Sequence, residues 1–288
     1  AARRKAMGIG AEEARKMRVS MNEMTTYRWT FEQDVAAYAR AGFSAIGIWR
    51  QKVADCGEAR ARSLLSSSGL AVSNLLWAGG FTGHDGRSLR ESIDDAAEAI
   101  RLAQLLGAGT LVVYSGPRGG HTHNHARRLV REALKELLPQ AAELGVVLAI
   151  EPMHAQCASD WTFLTCLEET LAFIDGLGNT ALKMVFDTYQ LGFPPPDMGR
   201  VAEVASRVAV VHLGDGRAPP QQEQNRCRLG EGVVPLAELV AALRAGGFDG
   251  YFDVELLGED IEASQYEALL GHSQQACQRL TATVAAAG

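Results

Sequence analysis

Cysteine is scarce. Five residues of 288, at positions 56, 157, 166, 227 and 277, give an odd number with no Cys-x-x-Cys spacing. That excludes a disulfide framework and a thiolate-built zinc site, and reduced thiols of this kind fit a cytoplasmic location. No stretch reaches the roughly 18 consecutive apolar residues of a membrane-spanning helix. The opening AARRKAMGIG lacks the apolar segment of a secretion signal. Basic charge is also short: 28 Lys and Arg against 34 Asp and Glu leave a net charge of −6. A protein that binds duplexes through their phosphates is usually basic, so nucleic acid is not an expected partner. Glycine-rich phosphate loops are missing as well. The first apolar run leads into Asn22-Glu23-Met24-Thr25-Thr26-Tyr27, which is no dinucleotide-binding turn.

What is present is an alternation. Apolar runs occupy Arg18–Met24, Ser44–Trp49, Ala71–Trp77, Thr110–Tyr114, Val146–Glu151, Lys183–Asp187, Ala209–His212 and Tyr251–Glu255. Most are dense in Val, Ile and Leu without polar alternation, as parallel strands covered on both faces are. Amphipathic stretches lie between them, including Phe31–Ala41, Arg87–Leu106, Asn124–Leu144 and Pro235–Ala245, and several end at Gly. Eight β-then-α units without a composition break predict an α/β fold, a single (β/α)8 TIM barrel over residues 18–288. Residues 1–17 read as a lead-in, either polar or helical and packed across one barrel end.

In such a barrel the C-terminal strand ends converge on one mouth. Strand five ends at Glu151, strand six at Asp187, strand seven at His212 and strand eight at Glu255. A polar residue at one strand end is ordinarily a loop starter, but four in succession form a pattern. Three carboxylates at one mouth repel one another unless a cation lies between them. The set predicts one divalent metal; with one imidazole and no thiolate it suits Mn²⁺ best, with Mg²⁺, Co²⁺ and Zn²⁺ as alternatives. On strand eight, Asp253 points the same way as Glu255 but deeper, so Glu255 is the expected ligand.

The segments EP at 151–152, FDT at 186–188, VHLGD at 211–215, LGEGVVPL at 229–236 and VE at 254–255 resemble the xylose-isomerase-like, divalent-metal TIM barrels. That group holds ketose 3-epimerases, hydroxypyruvate isomerases, inosose isomerases and dehydratases, and endonuclease IV-type repair enzymes. The resemblance implies that Glu151, Asp187, His212 and Glu255 bind one metal and that the two Glu also move protons. The implied chemistry is isomerisation or epimerisation of a sugar, polyol or keto-acid, by removal of a proton beside a carbonyl and stabilisation of the enediolate. Several positions depart from the group. Ketose 3-epimerases resemble EPxNRxE after strand five, whereas this chain has EPMHAQC, with His154 for the Asn and Cys157 for the second Glu. Gln190 replaces a substrate-binding His, and Arg217 lies one position early for a basic substrate contact. The Asp-x-His that the repair enzymes carry ahead of the LG run is absent, which argues against nuclease activity.

These departures keep a lyase or dehydratase in view, with His154 or one of His121, His123 and His125 protonating the leaving group. A sugar-binding barrel without turnover is the third reading, disfavoured because both Glu151 and Glu255 are intact. His123 is also a candidate hydroxyl contact, although Thr122 or Asn124 capping the next helix explains the same loop. Trp29, Trp49, Trp77 and Trp161 follow or end strands one, two, three and five, and predict an aromatic platform for a sugar face. The expected partner is a small carbohydrate, with no membrane and with self-association into a homo-oligomer left open.

Overall fold

The structure is a computed structural model and describes residues 17–221 and 224–287. The expected lead-in, apart from residue 17, lies outside those residues.

Eight parallel strands close into one barrel in sequence order. They are β1 (Arg18–Asn22), β2 (Ala45–Trp49), β3 (Ala71–Gly79), β4 (Thr110–Tyr114), β5 (Val147–Ile150), β6 (Leu182–Asp187), β7 (Val208–Leu213) and β8 (Tyr251–Val254). β8 closes on β1 through Arg18–Tyr251 to Met21–Val254. Each apolar run of the sequence became a strand, with ends displaced by up to two residues. The long helices Leu89–Leu106 and His123–Glu143 follow β3 and β4. Their starts are written locally: Ser88 and Glu91 form a reciprocal capping box, and the Thr122 hydroxyl accepts from the His125 N–H.

Two apolar cores result. The larger fills the layer between strands and helices, with Tyr38, Phe173, Ile100 and Leu134 fully buried. The smaller, Leu76, Val112, Ala149, Val185 and Val210, plugs the barrel interior on the β3–β7 side. Side chains alternate along a strand, so these positions decide what faces the mouth two residues later. Ala149 leads to Glu151, Val185 to Asp187 and Val210 to His212.

The opposite side of the interior is polar. Asp253 is fully buried and accepts from Ser20 Oγ (2.5 Å), Asn22 Nδ2 (2.7 Å) and Asn74 Nδ2 (2.7 Å). Gly47 on β2 is required beside it, since a Cβ there would lie 2.2 Å from Asp253 Oδ2.

Candidate metal centre

Glu151, Asp187, His212 and Glu255 meet at the C-terminal mouth. One ligand atom from each lies within 4.8 Å of the others, and all four residues are buried. Glu151 and Glu255 sit just past their strands but keep the ladder, donating backbone N–H groups to Val113 and Leu213 carbonyls. Asp253, on β8 two residues before Glu255, lies outside the group, with its carboxylate held by Ser20, Asn22 and Asn74.

Each side chain is oriented by a separate partner. Tyr114 Oη donates to Glu151 Oε2 at 2.7 Å. Asp187 Oδ1 accepts the Tyr189 and Gln190 N–H groups at 2.7 and 3.1 Å, capping the turn that follows β6. His212 Nδ1 faces Glu151 Oε1 at 3.2 Å and Glu255 Oε2 at 3.5 Å. Arg226 supplies the local cation: Nη2 lies 2.8 Å from Asp187 Oδ2 and 3.1 Å from Glu255 Oε2, and Nη1 donates to the Glu255 carbonyl.

The electrostatics follow from burial and these neighbours. Burial pushes the Asp187 carboxyl up to about 6, because Arg226 offsets only part of the desolvation and the neighbouring Glu side chains add to it. For Glu255, burial works upward, but the charges of His212 and Arg226 prevail and hold it at about 2. His212 is raised well above its ordinary value; Glu255 and Glu151 outweigh the burial that opposes its charge. Burial and the same acids push the Tyr114 phenol far up, so it remains a proton donor.

The donor set fits a divalent cation. Three carboxylates and an imidazole surround a point where one Arg leaves negative charge uncompensated. Each carboxylate has an oxygen pinned by a neighbour, as ligands generally are. The His212 ring presents Nδ1 to the centre, and its Nε2 is buried without a partner among the described residues.

Arg226 was not singled out by the sequence, where the basic contact was placed on Arg217. That expectation is corrected here. Arg217 is 57% exposed and pairs with Asp260 and Glu231 at the surface. The loop after β7 is longer than the count from His212 assumed, and the basic side chain that reaches the centre comes fourteen positions after His212. Asp215 folds that loop: its carboxylate accepts from Gly216, Gly230, Gly232 and Val234 N–H groups. Asp215 therefore ties VHLGD to LGEGVV and carries Arg226 inward. The usable signal was a basic residue just ahead of the LGEG run. Tyr114 was missed because a phenol is not a metal-ligand type, although it too ends a strand at the mouth.

The other candidates divide. Gln190 is buried beside the centre; its Oε1 accepts from the His154 N–H at 2.9 Å and its Nε2 donates to Gln224 Oε1 at 3.0 Å. It bridges the loops after β5 and β7. His154 is half-buried above it, and its Nδ1 accepts from the Gln156 N–H at 3.3 Å. Partial burial lowers its pKa, so the imidazole is neutral near pH 7. Trp49, Trp77 and Trp161 form one aromatic group with Tyr114. Trp29 does not join them: it packs edge-on against Tyr266, 5.1 Å away, because the turn after β1 carries it outward. His123 points away as well, with Nε2 3.1 Å from Glu169 and its ring on Phe163. It belongs to the first turn of a surface helix.

Comparison with known proteins agrees with this architecture. Residues 35–279 match the family model described as xylose isomerase-like TIM barrel. A putative hydroxypyruvate isomerase of Streptomyces coelicolor is 27% identical over 261 residues, covering 81% of this chain and 88% of that protein. A D-psicose 3-epimerase of Enterocloster bolteae is 32% identical over 124 residues, covering 43% of this chain but 37% of the relative. A solved structure of IolI protein, described with a binding zinc atom, superposes with a TM-score of 0.81 at 17% identity, covering 93% of this chain and 99% of that one. At that identity it speaks for the fold alone.

Proposed function

The chain belongs to the xylose isomerase-like TIM barrel family, and from that premise we propose that it is a divalent-metal-dependent isomerase or epimerase of a sugar, polyol or keto-acid. The observation that carries the reading is the buried group of Glu151, Asp187, His212 and Glu255 with every carboxylate oriented by a partner. Relatives named as a hydroxypyruvate isomerase and a D-psicose 3-epimerase point to the same reaction class.

A divalent cation held by these four residues, Mn²⁺ first among the candidates, supplies Lewis-acid stabilisation for the oxyanion that develops when a proton leaves carbon beside a carbonyl. The remaining work belongs to the chain. Glu151 and Glu255 are the groups assigned to take and return that proton. Tyr114 fixes Glu151 Oε2, leaving Oε1 toward His212. Arg226 and Gln190 border the centre and hold substrate oxygens in this reading. The Nε of Arg226 is a buried donor without a partner among the described residues. Burial of the whole group excludes water from the reacting carbons.

One observation favours a lyase as the second reading. Cys157, standing where ketose 3-epimerases resemble a second Glu, turns its thiol to the Gln221 carbonyl at 2.8 Å, so no carboxylate replaces it. His154 could then protonate a leaving group only as the imidazolium, after its Nδ1 releases the Gln156 N–H and takes up a proton.

Solvent-deuterium exchange into a panel of sugars and oxidised sugars with Mn²⁺ tests the proposal. Deuterium incorporation with return of an isomer is the expected result. Consumption with loss of a substituent moves the assignment to the lyase, and silence across the panel removes the catalytic reading in favour of a sugar-binding barrel.

A further inference from the structure

Beside the metal centre, across Tyr114, lies a cleft of about 550 Å³, within the range of sites that enclose drug-sized ligands. None of the four centre residues lines it. It is therefore room beyond the reacting atoms. Its inner wall is aromatic. Trp77 stands nearly parallel to Trp49 (16° between planes) and nearly perpendicular to Trp161 (81°, centroids 5.2 Å apart), and Tyr114 closes the corner 5.2 Å from Trp161. All four rings are half-buried, leaving apolar faces open to the cleft.

The wall is held in place by its neighbours. Arg50 donates to the Trp77 carbonyl and makes a two-pronged pair with Asp95. Gly79, at φ +127°, allows β3 to approach β4 so closely that a Cβ would sit 2.0 Å from the Tyr114 carbonyl oxygen. Tyr114 itself is fixed by its bond to Glu151.

The rim says what the occupant is not. Arg50 and Arg87 spend their charge on Asp95 and Asp85. Of the other acids lining the cleft, Glu98 meets Arg101 at 3.9 Å, while Glu58 and Asp160 add further negative charge to the rim. A phosphate or carboxylate group would be repelled there. The open aromatic faces instead suit the polarised C–H face of a pyranose or the edge of an aryl ring.

Building on the function proposed above, we propose that the substrate is a two-part, uncharged glycosidic molecule: an oxidised sugar unit reacts at the metal centre while its second ring, aryl or glycosyl, lies in the Trp49–Trp77–Trp161 cleft.

Calorimetric titration of the full chain with glucose, phenyl β-D-glucopyranoside, cellobiose and glucose 6-phosphate tests this. The expected result is binding of the phenyl glucoside or cellobiose at least about tenfold tighter than glucose, with no gain from the phosphate. A stronger gain for the phenyl compound identifies an aryl occupant, and a stronger gain for cellobiose a glycosyl one. Trp77→Ala should abolish the gain with unchanged Mn²⁺ affinity, and Trp77→Phe, which keeps a ring face, should retain most of it. Equal affinity for glucose and both conjugates overturns the proposal, as does a gain that survives Trp77→Ala or tighter binding of the phosphate. The two readings fail separately. Deuterium exchange into free sugars without any conjugate gain sinks the cleft and spares the proton-transfer assignment. A Trp77-dependent gain without exchange into any sugar does the reverse.

Discussion

Tyr114 Oη donates a 2.7 Å hydrogen bond to Glu151 Oε2, joining the end of β4 to the residue just past β5. The half-buried phenol's pKa is raised far above the working range by desolvation and the neighbouring acids, so it always donates and never competes as an anion. It immobilises one oxygen of the carboxylate assigned to proton transfer. Tyr114→Phe should lower both kcat and metal affinity by about 10- to 100-fold, the usual cost of removing a ligand's orienting partner. Steady-state kinetics together with Mn²⁺ titration would reveal it, and parent-like values in both would show that Glu151 is held by other means.

Loss of a ligand should be more severe. Asp187→Ala and His212→Ala remove groups that are fully buried at the centre, and each is expected to abolish stoichiometric metal binding measured by elemental analysis after dialysis. Parent-like metal content in either variant refutes the site.

Asp253 separates structure from chemistry. Its oxygens accept three buried donors from β1 and β3. Asp253→Asn turns an amide N–H toward one of those donors and should cost about 1–3 kcal/mol in denaturant unfolding. Metal stoichiometry should stay at the parent value; a variant of normal stability that fails to bind metal would reverse the assignment.

The metal-free protein carries a pH signature at Asp187. Its carboxyl titrates near 6 when folded, against an ordinary value of 3.8. A raised carboxyl contributes stability below about pH 3.8 and loses it as pH rises through about 6, a change on the order of 3 kcal/mol. Metal requires the ionised form. The gap in Tm between Mn²⁺-loaded and chelated protein should therefore widen from pH 5 to pH 7. A gap independent of pH over that interval, or one equally wide in Asp187→Asn, contradicts the prediction.

His154 distinguishes the two reaction types. Its Nδ1 is engaged by the Gln156 N–H and its pKa is lowered by partial burial, which leaves a neutral ring that must take up a proton before it can act as an acid. In a lyase, His154→Asn should cut product formation by about 10²–10⁴ while substrate deuterium exchange persists. In an isomerase, exchange and turnover should decline together and only modestly. Parent-like exchange and turnover would confine His154 to bracing the loop on Gln190.

The barrel and its group of Glu151, Asp187, His212 and Glu255 were legible because both are periodic. Strands buried on two faces show as apolar runs, and inward residues recur every second position, so Glu151, Asp187, His212 and Glu255 stand out one to a unit without any knowledge of packing. Loop residues have no such period. Arg217 and Arg226 are indistinguishable as exposed-loop candidates until the Asp215 carboxylate gathers four backbone N–H groups and draws one of them inward. His123 and Trp29 were expected at the mouth from their order after strands, but the direction in which a chain leaves a strand is set by its neighbours: Glu169 for the one, Tyr266 for the other.

By itself, then, the sequence determined the barrel, the four inward-facing residues proposed as ligands and the place of Asp253 two positions before Glu255, since strand alternation is a local property of the chain. Only the tertiary structure decided that Arg226 offsets part of the centre's charge, that Tyr114 steadies Glu151 and that three of the four tryptophans share one cleft. Those relationships depend on contacts between residues tens of positions apart, where spacing along the chain carries no information about distance.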